Sequence, residues 1–309
     1  MRWRGPAAAR SLVQDDGPAG ARPSRTERRN VARSLQTDDG VHPWSRYVAL
    51  GDSFTEGVGD PEPASAGGLR GWADRVAEEL AAGRANFGYA NLAVRGLLLQ
   101  QIMDQQIGTA LALQPDLVTL SAGGNDMVFH GTDPDKLAAR LEAGVSQLAQ
   151  AGPTIVLFTG PDWGSTLVLG RNRAKVAIFN ENVRALAARH GALIADLWAL
   201  TQLREPRMWD PDRLHLSPLG HHTVAMAVLE ALNVPHTLQP LEPKSLPASS
   251  WRQARAGDLS WARAYLVPWV VRQVRPHGTD GELRAKRPFA GPVFPAGNPP
   301  APALAQVKS

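Results

Sequence analysis

The 309-residue chain has no cysteine. That excludes disulfide scaffolds, thiol nucleophiles and cysteine-ligated zinc. Nor does it contain an apolar run approaching the roughly 20 residues of a membrane-spanning helix. Residues 1–40 lack an apolar stretch long enough for the core of a signal peptide, so a cytoplasmic protein is expected. Lysine is scarce beside arginine, 5 against 28, and the formal net charge is only +4. The basic residues gather toward the two ends instead of along one face of the middle, so no nucleic-acid partner is expected. No Gly-x-Ser-x-Gly occurs, which sets aside the strained nucleophile elbow of α/β-hydrolases. The Gly57-Val58-Gly59 pair lacks the third glycine and helix start of a dinucleotide-binding loop.

What is present is a regular alternation between Arg46 and Pro235. Short β-rich runs at Arg46–Leu50, Asn86–Asn91, Leu117–Ser121, Thr154–Thr159 and Ala192–Asp196 read as strands. Between them, Trp72–Ala82, Leu97–Leu113, Pro134–Gln150 and Arg173–His190 carry apolar residues at helical spacing. A last helix is predicted over about 217–232, with Ser217 as N-cap and Pro218 at its first position. Strand and helix in this alternation imply a parallel sheet covered on both faces. The expected organisation is a disordered N-terminal extension over 1–43, one α/β domain over 44–235, a linker and amphipathic segment over 236–275, and a disordered tail over 276–309. In the amphipathic segment Trp261, Tyr265 and Trp269 lie four apart opposite an Arg-rich face. Docking on the domain's own surface or contact with a membrane surface would both suit such a pattern.

Polar or Gly-rich breaks follow three of the strands, at the edge where such sheets bind ligands. The first is "YVALGDSFTEGVGD" over 47–60, which puts Ser53 directly after a buried strand. Ser53 could be a nucleophile or merely the cap of a following helix. A nucleophilic serine needs a base within hydrogen-bond reach, and the base needs an orienting group. "WDPDRLHLSPLGH" supplies both, with Asp212 three residues before His215 in a short loop. Asp210 is one residue too far out for the same spacing, and Asp52 reads as a loop-tying carboxylate. The oxyanion formed by attack on a carbonyl needs aimed donors. The Ser53 backbone N–H, the Gly96 backbone N–H and the Asn125 amide could supply them, with Asp126 organising the turn beside Asn125. His221 and His222 raise a metal reading, but adjacent His side chains diverge and no second acidic block completes a cage. No metal or other cofactor is therefore expected. By position alone Met127, Phe129 and Trp163 are candidates for lining a cleft that takes a small apolar acyl group.

"GDS" at 51–53, Gly96, "GGND" at 123–126 and "DRLH" at 212–215 resemble the four ordered blocks of the SGNH, or GDSL-type, hydrolases, with "HLSPLGH" closest to an actinobacterial branch. The resemblance spans about 46–235. It implies a flavodoxin-like three-layer α/β/α sandwich with a five-stranded parallel sheet. It also implies Ser53 as nucleophile, His215 as base and then acid, Asp212 as its orienter, and Ser53, Gly96 and Asn125 as the oxyanion hole. The activity so implied is a serine esterase on short to medium acyl esters, working through an acyl-enzyme on a small-molecule or carbohydrate substrate. A carbohydrate O-deacetylase, an acyltransferase and a non-catalytic binding protein of the same fold are the alternatives.

Overall fold

The computed structural model describes residues 42–129, 131–163, 169–242 and 284–293. Most of the N-terminal extension, the whole amphipathic segment 251–275 and most of the C-terminal tail lie outside the described residues.

Five strands run parallel: β1 (Arg46–Gly51), β2 (Gly88–Asn91), β3 (Leu117–Ser121), β4 (Thr154–Phe158) and β5 (Leu193–Ala195). Their spatial order is β5-β4-β3-β1-β2, which is the doubly wound order of flavodoxin-like sheets. The side chains explain why the sheet is buried on both faces. In β1, Val48 and Leu50 point into one core and Tyr47 and Ala49 into the other. In β4, Ile155 and Leu157 oppose Val156 and Phe158 in the same way. Successive strand residues alternate faces, so a strand apolar at every position must be covered twice.

Helices α3 (Leu99–Ala112), α5 (Pro134–Ala151) and α6 (Arg173–His190) cover the first face. Helices α2 (Gly71–Ala81) and α7 (Pro218–Ala231) cover the second. Two short helices, α1 (Ser53–Glu56) and α4 (Gly124–Val128), follow β1 and β3 directly. Local capping agrees with the sequence pattern. Asp133 caps α5 with Pro134 in its first turn, and the Ser217 hydroxyl accepts from Gly220 N ahead of α7, so each side chain satisfies an otherwise unpaired backbone donor.

The sheet extends beyond the five expected parallel strands. The sheet has six strands, because β6 (Arg287–Pro292) pairs antiparallel with β2. It comes from the segment expected to be disordered. Its sequence, RPFAGP, has two prolines and no alternation, and so carries no strand signal. Proline is tolerated there because β6 is the edge strand of the sheet, with no partner on its outer side among the described residues. Tertiary contacts hold it instead. The ammonium of Lys286, whose side chain is 3% exposed, donates to Leu69 O at 3.0 Å, to Arg70 O at 3.2 Å and to the Asp74 carboxylate. Burial still pushes the Asp74 carboxyl up to about 6, with Lys286 offsetting only part of the rise. The Arg287 guanidinium lies 5.3 Å from the Tyr89 ring centre. Among the described residues no helix is long and apolar enough to cross a membrane.

Candidate active site

Between β1 and β3 the strand order reverses, and a crevice opens at the carboxyl ends of the sheet. β1 ends at Gly51, whose N–H and C=O are both held by the buried Gln106 side chain, each at 2.8 Å. The Asp52 carboxylate accepts from Phe54 N at 3.1 Å and so caps α1. Ser53 therefore begins α1 at the floor of the crevice, 7% exposed. Burial pushes the Asp52 carboxyl up to about 6, against the pull of the Phe54 N–H and of nearby His215.

Asp212 and His215 lie in the loop before α7. Asp212 Oδ1 accepts from Leu214 N at 2.9 Å and His215 N at 3.0 Å, while its Oδ2 takes the His215 Nδ1–H at 2.5 Å. Burial works against its charge, but the imidazole and the two amides outweigh it and hold the carboxyl below its ordinary range. Asp210 is not in that arrangement. Its carboxyl is raised, by burial and by the neighbouring Asp212 charge. His215 and Ser53 line the same cleft, although among the described residues no hydrogen bond joins them. Such bonds are commonly loose without substrate and tighten around it.

Two close contacts lock the loops in place. Gly59 has a φ of 95°, and a Cβ there would sit 2.1 Å from Leu216 O and 3.3 Å from His215 Cβ. The turn after α1 is thus pressed against the His215 loop, and only glycine fits. Around Gly96, also at positive φ, the loop after β2 is fastened by Arg95, which meets Glu56 of α1 through its backbone N at 2.7 Å and its guanidinium at 2.5 Å.

Asn125 follows β3, with its amide nitrogen donating to Leu97 O at 2.9 Å and to Asp52 Oδ2 at 3.3 Å. Next to it, the Asp126 side chain accepts from Leu99 N at 2.9 Å and so serves the start of α3, a separate segment from the turn it was expected to organise. His221 is sealed in α7, accepting from Trp72 N at 3.2 Å and donating to Val58 O at 3.1 Å. His222 reaches Gln239 O at 2.8 Å. Neither ring approaches the Asp212–His215 pair as a co-ligand, and no group of three His, Asp or Glu suited to a metal occurs among the described residues.

The cleft has a cavity volume of about 120 Å³ and is mostly apolar. Met127 and Trp163 line it; Phe129 does not. Phe129 falls where α4 ends, and its backbone carbonyl is taken by Lys175 Nζ at 2.8 Å. Sequence reasoning missed Phe54, Phe158, Phe179, Leu197, Leu203 and Trp209, which also face the cleft. Phe54 was legible as the neighbour of Ser53. Leu203 and Trp209 lie in and beside 3₁₀ turns at 201–204 and 206–208, which carry no periodic pattern.

Residues 49–223 match the sequence profile of the GDSL-like Lipase/Acylhydrolase family. The chain belongs to this family. As a GDSL-type enzyme it is a serine hydrolase acting on ester bonds. Its fold recurs in solved structures. It is similar to LAE5, an alpha/beta hydrolase enzyme from the metagenome of Lake Arreo, at 21% identity over 61% of this chain and 95% of that one, with a TM-score of 0.51. It is also similar to TesA, at 18% identity over 60% and 97% with a TM-score of 0.52. The acetylxylan esterase Axe2 from Geobacillus stearothermophilus gives 18% identity over 65% and 97%, with a TM-score of 0.51. At these identities the likeness is one of fold. A search of curated proteins finds no match.

Proposed function

We propose that this GDSL-type hydrolase cleaves esters of short to medium apolar acyl groups through a covalent acyl-enzyme at Ser53. The observation that carries the reading is the Asp212–His215 pair, closed at 2.5 Å and facing the cleft that holds Ser53. Asp212 fixes the tautomer with hydrogen on Nδ1, which leaves Nε2 with a lone pair for the serine proton. As Ser53 Oγ bonds to the ester carbon, His215 takes that proton and the carbonyl oxygen becomes an anion. The backbone N–H groups of Ser53 and Gly96 and the Asn125 amide stabilise it. Of the two Asn125 hydrogen bonds, the longer one to Asp52 is the one an oxyanion displaces. The alkoxide leaves with the proton from His215. Water then attacks the acyl carbon, giving its proton to His215. The carbon–Oγ bond breaks, Ser53 takes that proton back from His215, and the acid is released. The apolar walls favour a hydrocarbon acyl group over a sugar, whose hydroxyls would lose water without gaining partners. In this reading residues 44–235 are the hydrolase domain.

The test is hydrolysis of p-nitrophenyl butyrate in EDTA by wild type and Ser53→Ala. Wild-type turnover that falls by about 10⁴-fold or more in the variant is expected, as for other serine nucleophiles. Equal turnover in the two proteins would overturn the assignment.

A further inference from the structure

Asp162 stands just outside the catalytic geometry. It sits between Pro161 and Trp163, both of which line the cleft, and is itself only 5% exposed. Two guanidinium groups converge on it from different elements. Arg173, the first residue of α6, gives Nε at 2.7 Å and Nη2 at 3.1 Å. Arg204, from the 3₁₀ turn 201–204, gives Nη2 to the second carboxylate oxygen at 2.7 Å. The Arg173 guanidinium also lies 5.1 Å from the ring centre of Trp198. Arg204 follows Leu203, a wall of the cleft, and the same segment leads on to Trp209.

A buried carboxylate thus ties the loop after β4 to the irregular segment after β5, beside the apolar arm of the cleft lined by Pro161, Trp163, Leu203 and Trp209. Nearer the strand ends the Thr159 hydroxyl also joins them, donating to Asp196 Oδ1 at 2.8 Å and accepting from Trp198 N at 3.1 Å. Neither segment belongs to a strand or long helix; their backbones meet through the Thr159 N–H bond to Ala195 O at 3.3 Å. Burial of an unpaired carboxylate is costly, and bidentate pairing by Arg is the strong form of compensation. The two contacts are unequal in what they do. Arg173 satisfies Asp162 with two bonds, whereas Arg204 carries its own segment to the carboxylate through one.

We infer that the Asp162–Arg204 bridge is a clasp that sets the acyl-chain length this enzyme accepts, by holding the Leu203–Trp209 wall against the Pro161–Trp163 wall. The inference rests on the esterase reading above. The chain in the arm is the acyl chain, because the alcohol must escape after the first step while the acyl group stays bonded to Ser53. An arm fastened at its walls suits the part that remains. Arg204 is a positioning residue and takes no part in the chemistry.

The experiment is a chain-length series of p-nitrophenyl esters, butyrate to dodecanoate, with wild type, Arg204→Gln, Arg204→Lys and Leu203→Ala. Arg204→Gln leaves Asp162 paired with Arg173, so the carboxylate is not stranded. The expected result is a rise of roughly tenfold in the kcat/KM ratio of decanoate to butyrate, the scale of about one methylene's fit in an apolar pocket. Leu203→Ala should move the ratio the same way, and Arg204→Lys should restore part of the wild-type preference. A ratio that stays put, or equal losses at every chain length, would overturn the clasp. A parallel series of alkyl acetates, varied in the alcohol, should show no such shift; a shift there and not in the acyl series would overturn the acyl assignment. Ser53→Ala run alongside separates the two levels. If it keeps activity the esterase reading fails, and if it loses activity while the ratio stays put only the clasp fails.

Discussion

His215 and His221 lie six positions apart, and the two rings live in opposite surroundings. The first, in a loop at the mouth of the cleft, has one nitrogen bound to Asp212 and its side chain still 17% exposed. The second, in the opening turn of α7, is fully buried, with both nitrogens spent on backbone groups of Trp72 and Val58. In the first, the carboxylate holds Nδ1 and leaves Nε2 on the side of the cleft. A buried amide donor and a carbonyl acceptor demand the neutral ring, and burial lowers the pKa of His221 to about 4. Residue type therefore does not make a base. What matters is which nitrogen is left over and whether a proton can reach it.

The widest separation between the two positions should appear in turnover. His215→Ala is expected to lower kcat by about 10⁴-fold or more while the fold persists, and adding Ser53→Ala should cost little further, because such residues act as a unit. Additive losses in steady-state kinetics would break the comparison on the catalytic side. His221→Phe should reverse the pattern. It strands the Trp72 N–H and the Val58 carbonyl in the core, at a cost of about 2–4 kcal/mol in denaturant unfolding, while the folded fraction keeps most of its kcat. A kcat loss as deep as that of His215→Ala would show that His221 does more than tie α2 to the turn after α1.

The smallest effect is the most discriminating. With its folded pKa near 4 against an ordinary value of about 6.5, His221 takes up a proton more readily in the unfolded chain. Its contribution is complete above pH about 6.5 and is lost as pH falls toward 4, at most about 3 kcal/mol. Asp52 and Asp74, both raised to about 6, act with the opposite sign, stabilising at low pH and losing that contribution as pH rises through about 6. Comparing wild type with His221→Phe cancels them. The stability gap between the two proteins should narrow on acidification, and a constant gap from pH 7 to 4 would mean that His221 does not titrate as its burial requires.

The same contrast between local and distant causes explains what could be read in advance. The five parallel strands and the five long helices agree with the sequence pattern to within a residue or two, because alternation and helical spacing are local properties. The serine, aspartate and histidine were legible for a related reason: each stands at a strand end or three residues from its partner. Strand β6 was not, since the contacts that hold Lys286 come from residues more than 200 positions away. Phe129 was misassigned because its distance from the site in sequence is short, whereas the end of α4 takes it out of the cleft lining.

The sequence by itself determined the order of the strands and helices along the chain, the two-sided burial of the sheet and which serine, aspartate and histidine are the candidate reactive groups. Tertiary structure alone decided the sixth strand, the neutral His221, the engagement of Asn125 with Asp52, and the walls of the cleft. Part of those walls, Leu203 and Trp209, comes from turns without periodicity, tied to the loop after β4 by a buried carboxylate. Such a contact is made in three dimensions, and no local pattern of residues could have announced it.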